Sequence, residues 1–138
     1  MSKHLKEKEE KILHVLECLA EESAKGTPIV VEGKKDINAL RILGIEGSII
    51  SAKTGGKSLL DVISEIEKTE AKEVILLLDF DRRGKELTQN LTKHLDTMTV
   101  RLSLNFWREL SSLIGSEVKD IEGLASYMET LKRKTINS

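Results

Sequence analysis

Four short runs of almost continuous apolar character punctuate this chain: "PIVVE" (28–32), "GSIIS" (47–51), "EVILLLDF" (73–80) and "MTVRLS" (98–103). A strand with one wet face alternates apolar and polar residues, whereas a strand covered on both faces does not need to. The stretches between the runs carry helical spacing instead. "KDINALRIL" (35–43) puts Ile37, Leu40 and Leu43 on one helical face, and "KSLLDVISEIEK" (57–68) does the same with Leu59, Leu60, Ile63 and Ile66. A third helix is expected from Arg83 to Leu95. Strands of this kind alternating with helices predict an α/β fold, a mostly parallel four-stranded sheet with helices on both faces.

Further helices flank this alternating region. Residues 1–26 contain Leu5, Ile12, Leu13, Leu16, Leu19 and Ala20 at helical intervals, ending at "KGTP", where Gly26 suits a helix terminus and Pro28 cannot continue one. Residues 104–138 carry helical patterns near Phe106–Leu113 and Ile121–Lys132. The expected organisation is therefore an amino-terminal amphipathic helix (1–26), a core (27–103) and a carboxy-terminal helical segment (104–138), packed as one compact domain, which 138 residues suit.

Composition removes several functional classes. One cysteine, Cys18, permits neither an internal disulfide framework nor a multi-cysteine zinc site, and its apolar neighbours suggest a small core residue. No apolar run approaches the roughly 18 residues of a membrane span, and "MSKHLKEKEEK" is charged without a signal-peptide core, so a cytoplasmic location without membrane contact is expected. The formal net charge of −1 leaves a nucleic-acid partner to be held by a local basic patch.

Ligands of such sheets bind beyond the carboxyl ends of the strands. That rule selects Glu32 after the first run, "AKTGG" after the second and "DFDRRG" after the third. Strand side chains alternate, so Asp79 and Asp81 are expected to project to one side and, with Glu32, to form an acidic cluster. Carboxylates held close repel unless a cation lies between them or one is protonated. Magnesium, with manganese as the alternative, prefers such hard oxygen ligands. Gly33 is expected to give a sharp turn and let phosphate approach the backbone. Lys34, Lys35, Lys53, Lys57, Arg82, Arg83 and Lys85 lie on the same side, where they would hold a phosphate backbone or form an ordinary solvated surface.

"VVEGKKD" followed by "ILLLDFDRRG" resembles the Toprim domain, whose pattern is Glu-Gly after the first strand and Asp-x-Asp-x-x-Gly after the third. The matching residues are Glu32 and Gly33, then Asp79, Asp81 and Gly84, with Asp36 at the spacing of an aspartate in the primase branch. The resemblance spans residues 27 to 103 and is to the small stand-alone kind found in archaea. It implies a Rossmann-like sheet, Glu32 as general acid or base, and Asp79 and Asp81 as magnesium ligands in phosphodiester chemistry on DNA or RNA.

A nucleotide-binding loop is the nearest competing motif. "SAKTGGKS" (51–58) follows a strand and precedes a helix, but the phosphate loop needs glycine where Ser51 stands. Gly55, Gly56 and Lys57 are better read as a turn exposing backbone N–H groups to phosphate. Topoisomerase action would need the sole tyrosine, Tyr127, delivered from a terminal helix, and priming a zinc module that one cysteine cannot build. Trp107 and Phe106 are expected in the core rather than stacked on bases. Two expectations remain: a metal-dependent nuclease or phosphotransferase, or a non-catalytic module that docks nucleic acid, a protein partner or a second copy of the chain.

Overall fold

The computed structural model describes residues 3–136. Its elements are α1 (Lys3–Ala24), β1 (Ile29–Val31), α2 (Lys34–Ile42), β2 (Ile49–Ser51), α3 (Leu59–Lys68), β3 (Glu73–Leu76), α4 (Arg82–Leu95), β4 (Arg101–Ser103), α5 (Asn105–Ile114) and α6 (Ile121–Ile136), with a single 3₁₀ turn at Thr54–Gly56. The four strands form one parallel sheet in the order β2-β1-β3-β4. The α/β class, the parallel sheet and the extra helices at both ends are as the sequence predicts. The ladders are shorter than the apolar runs: residues 77–80 of the third run and 98–100 of the fourth lie outside the strands.

Alternation along each strand divides the core in two. Ile29 and Val31 of β1, with Ile75 of β3 and Leu77 just beyond it, face a layer built from α1, α2, α5 and α6. Val30, Val74, Leu76 and Leu78 face α3 and α4. Both faces are thus covered, which is why these strands could be apolar at every position. The helical faces differ from expectation in detail. Leu13 and Leu60 point outward, while Val15 and Val62 take the buried positions. Cys18 is half-buried and lies 3.8 Å from His14 Nε2, so it belongs to the helix surface rather than the core.

Chain direction fixes where a site can form. From β1 the chain crosses to β2 on one side, and β3 and β4 then build outward on the other. The direction of winding therefore reverses between β1 and β3, and the crevice at such a reversal is where open parallel sheets bind ligands. Glu32 and Asp79 follow these two strands.

Candidate active site

The β1–β3 ladder continues past its last backbone rung by using a side chain. Ile75 N–H donates to Pro28 O at 2.9 Å and Leu77 N–H to Val30 O at 2.8 Å, two residues on. The next step in this series, Asp79 N–H, donates to the Glu32 carboxylate (Oε2) at 3.2 Å. The Glu32 carbonyl turns the other way and accepts from Lys53 N–H at 3.0 Å. Glu32 is only 8% exposed and is held by the sheet itself.

Lys53, from the loop after β2, brings its Nζ to 2.7 Å from Glu32 Oε1. Burial pushes the Glu32 carboxyl up, but the hydrogen bond with Asp79 and the Lys53 ammonium outweigh it and hold Glu32 below its ordinary value. Asp79 goes the opposite way. Burial, then the hydrogen bond and charge of Glu32, with Asp36 and Asp120 adding negative charge, push it up to about 9. The two carboxyls therefore share one proton at neutral pH, and it resides on Asp79 because Glu32 has the amide and the ammonium. Asp79 Oδ1 is buried without a hydrogen-bond partner among the described residues.

Asp81 has a different task. It is the N-cap of α4, its Oδ1 accepting from Gly84 N–H at 2.9 Å. The carboxylates in hydrogen-bond contact are Glu32 and Asp79 rather than Asp79 and Asp81, because the chain leaves the strand before residue 81 and strand alternation no longer applies. No group of three or more His, Cys, Asp or Glu residues is arranged to hold a metal among the described residues. The Glu32–Asp79 pair nevertheless fits a hard divalent cation. It offers buried carboxylate oxygens, one unpartnered, at a point where a proton already substitutes for positive charge.

Gly84 is required by close approach. A Cβ there would lie 2.0 Å from the Asp79 carbonyl oxygen, so the first turn of α4 can pack on Asp79 only without a side chain. Trp107 completes the support. Its indole N–H donates to Leu78 O at 2.9 Å and stands 3.4 Å from Asp79 O, and its ring meets Phe80 with centroids 6.3 Å apart. The sequence placed Trp107 in packing but carried no sign that it braces the site.

Asp36 is buried and structural. One oxygen accepts from Gly33 N–H at 3.1 Å and the other from Glu122 N–H at 3.0 Å, tying the start of α2 to the start of α6. Its burial, with Asp120 and Glu32 nearby, raises its pKa despite those two amides. The chain bends at Gly33 between β1 and α2, but with φ −140°, an extended conformation any residue adopts, so the bend does not require glycine; the space where its Cβ would stand is open, with Asp36 Oδ2 4.0 Å away.

The basic residues divide into engaged and free. Lys57 Nζ is bound to Glu65 at 2.8 Å and to Ser51 O at 2.9 Å, and Arg82 pairs with Glu86 at 3.2 Å. The Lys57 amine is thereby directed at its own loop and helix, the opposite of a phosphate-loop lysine. Gly55 and Gly56 both have left-handed backbone, φ +73° and +71°, on an exposed turn. Lys34, Lys35 and Arg83 are exposed and make no ion pair among the described residues. Tyr127 lies on α6 with Lys8 over its ring at 5.7 Å, engaged with Glu117 and Lys8. No described helix is long and apolar enough to cross a membrane.

The family model described as Toprim domain matches residues 26–104. The UPF0292 protein of Methanocaldococcus jannaschii is 39% identical over 120 residues, covering 86% of this chain and 91% of the relative. That of Methanosarcina acetivorans is 36% identical over 126 residues, covering 91% and 85%. A solved structure of a protein from Aquifex aeolicus superposes with a TM-score of 0.67 at 28% identity, covering 79% of this chain and 94% of that one.

Proposed function

The chain belongs to the Toprim domain family, a membership that points to metal-dependent, nucleic-acid-related function, and from that premise we propose that it is a nuclease-like enzyme acting on phosphodiesters at the Glu32–Asp79 pair. The carrying observation is the side-chain hydrogen bond between Glu32 and Asp79 at the ends of two adjacent parallel strands, with Asp79 raised to about 9 by burial and by Glu32, an arrangement typical of functional sites. Asp79 and Glu32 would hold magnesium or manganese, with Asp81 available from the α4 cap. Bound there, the ion would neutralise phosphate charge and polarise the scissile bond.

The chain's own residues supply the rest. Asp79 must lose its proton before both of its oxygens become ligands, so loading the site releases a proton. Glu32, oriented by the Asp79 amide and the Lys53 ammonium, would take a proton from, or return one to, an oxygen of the reacting phosphate. Gly33, Lys34, the Gly55–Gly56 turn and Arg83 lie around the strand ends and would contact the flanking backbone.

A second reading, a non-catalytic docking module, draws support from Lys53, which gives Glu32 an internal cation, and from the two-carboxylate rather than three-carboxylate arrangement. Against it, carboxylates facing a polyanion weaken binding. Cleavage of labelled single- and double-stranded DNA and structured RNA, with magnesium or manganese against chelator, separates the two. The enzyme reading expects metal-dependent cutting by wild type that is lost in Glu32→Gln and in Asp79→Asn/Asp81→Asn. Retention of substrate without cutting would favour the docking module.

A further inference from the structure

A groove of about 440 Å³ runs between α4 and α5, outside the pair of carboxyls. Lys85, Gln89 and Lys93 stand along α4 at intervals of four, so they form one exposed stripe about 12 Å long at 1.5 Å per residue. Leu104, Trp107 and Arg108 complete the lining. Thr88 and Thr92, also in the wall, spend their hydroxyl protons on the backbone carbonyls of Gly84 and Thr88. The donors left for a ligand are therefore Lys85, Gln89, Lys93 and Arg108.

Charge distinguishes this groove. No carboxylate lines it, and none of its three cations makes an ion pair or a side-chain hydrogen bond among the described residues. By contrast, the larger groove between α1 and α5, which Arg108 also borders, carries Glu7, Glu10 and Glu109 beside Lys11, and Arg101 at the sheet edge is matched by Glu73. Two lysines and an arginine free of ion pairs, beside an apolar floor of Leu104 and Trp107, match a ligand with negative charge at regular intervals and flat apolar groups between. A duplex stacks its base faces inward, so an apolar floor on which bases can lie favours a single strand.

The groove shares two of its walls with the supports of the site. Lys85 follows Gly84, whose missing side chain lets α4 rest on Asp79, and Trp107 lines the groove while its indole N–H holds the Leu78 carbonyl. We propose that the α4–α5 groove binds the sugar–phosphate backbone of single-stranded nucleic acid and conducts it to Glu32 and Asp79; this rests on the reading of that pair as a phosphodiester site.

The test measures binding of a labelled single-stranded oligonucleotide, and of the same sequence as duplex, by fluorescence anisotropy in chelator across a salt series. Cleavage of the single strand with magnesium is followed in parallel. The groove variant is Lys85→Gln/Lys93→Gln/Arg108→Gln; Lys6→Gln/Lys25→Gln/Lys68→Gln is a control with the same charge change. Three single-strand phosphate contacts contribute about 2 to the slope of log affinity against log salt. The groove variant should lose that slope and bind roughly tenfold or more weakly at low salt, with unchanged melting temperature, while the control keeps most of its affinity. Equal affinity and slope for groove variant and wild type would overturn the proposal, as would equal losses in the control or a duplex bound as tightly as the single strand. If wild type cuts the strand and the groove variant is unimpaired, the groove fails and the site reading stands. If wild type neither binds nor cuts, both fail.

Discussion

Replacing Asp79 with asparagine should stabilise the protein in chelator, and the gain should grow with pH. Asp79 titrates near 9 in the folded chain against an ordinary 3.8. A carboxyl whose folded pKa is raised favours folding fully below the unfolded value, and that contribution is lost progressively as pH rises through the folded one. Taken whole, the interval from 3.8 to about 9 corresponds to about 7 kcal/mol, at about 1.4 kcal/mol per tenfold in proton affinity. Asp79 is only partly buried, so water screening makes that figure a ceiling, and holding the proton up to neutral pH requires about 4 kcal/mol of it.

Asparagine is neutral at every pH, matches the protonated acid in shape and can donate to Glu32 as its O–H does. At pH 5 the two proteins should therefore agree within about 2 kcal/mol, whereas at pH 9 the variant should be ahead by about 4 kcal/mol. Urea denaturation followed by circular dichroism reads this as roughly 2 M in midpoint. Added magnesium should narrow the gap: at a hundredfold excess over its dissociation constant wild type gains about 2.7 kcal/mol and the variant little. A pH-independent difference, or a variant less stable throughout, would refute the shared proton.

Four further outcomes follow from the supports of the pair. Gly84→Ala forces a methyl against the Asp79 carbonyl and should cost about 2–3 kcal/mol by urea denaturation, while weakening magnesium-induced stabilisation. Trp107→Phe removes the donor to Leu78 O and should cost about 1–2 kcal/mol and lower cleavage more than it lowers strand affinity. Lys53→Gln removes one cause of the lowered Glu32 pKa. A lowered carboxyl stabilises above its unfolded value and loses that contribution as pH falls, so the acid-unfolding midpoint of this variant should move to higher pH. Asp36→Ala orphans the amides of Gly33 and Glu122 and should cost about 2–3 kcal/mol, read as a lower melting temperature.

Where the sequence succeeded and where it did not follows from range. The parallel sheet was legible because covering both faces forces continuous apolar runs, a local pattern; Glu32 and Asp79 were legible because each ends such a run. The capping role of Asp81 and the proton held between Glu32 and Asp79 were not. Strand alternation assigned Asp81 to the Asp79 side, but alternation lapses once Asp81 caps α4. Lys57 read as a phosphate contact because it follows two glycines, yet Glu65, eight residues on, claims it. Trp107, 28 residues from Asp79, acts through an indole-to-carbonyl bond that no spacing encodes.

The same distinction explains why the acidic pair is tolerated. Each cost at the site is met by a group from a different element: Lys53 from the β2 loop, Trp107 from α5 and the close approach of α4 at Gly84. None of these removes the proton from Asp79; they hold it beside Glu32 with one oxygen unbonded. Evolution toward stability alone would reach the amide at position 79 by a single substitution. A carboxyl braced from three directions and kept in this state is what the proposed function requires, and the oxygen chemistry of the pair suits a divalent cation under that proposal.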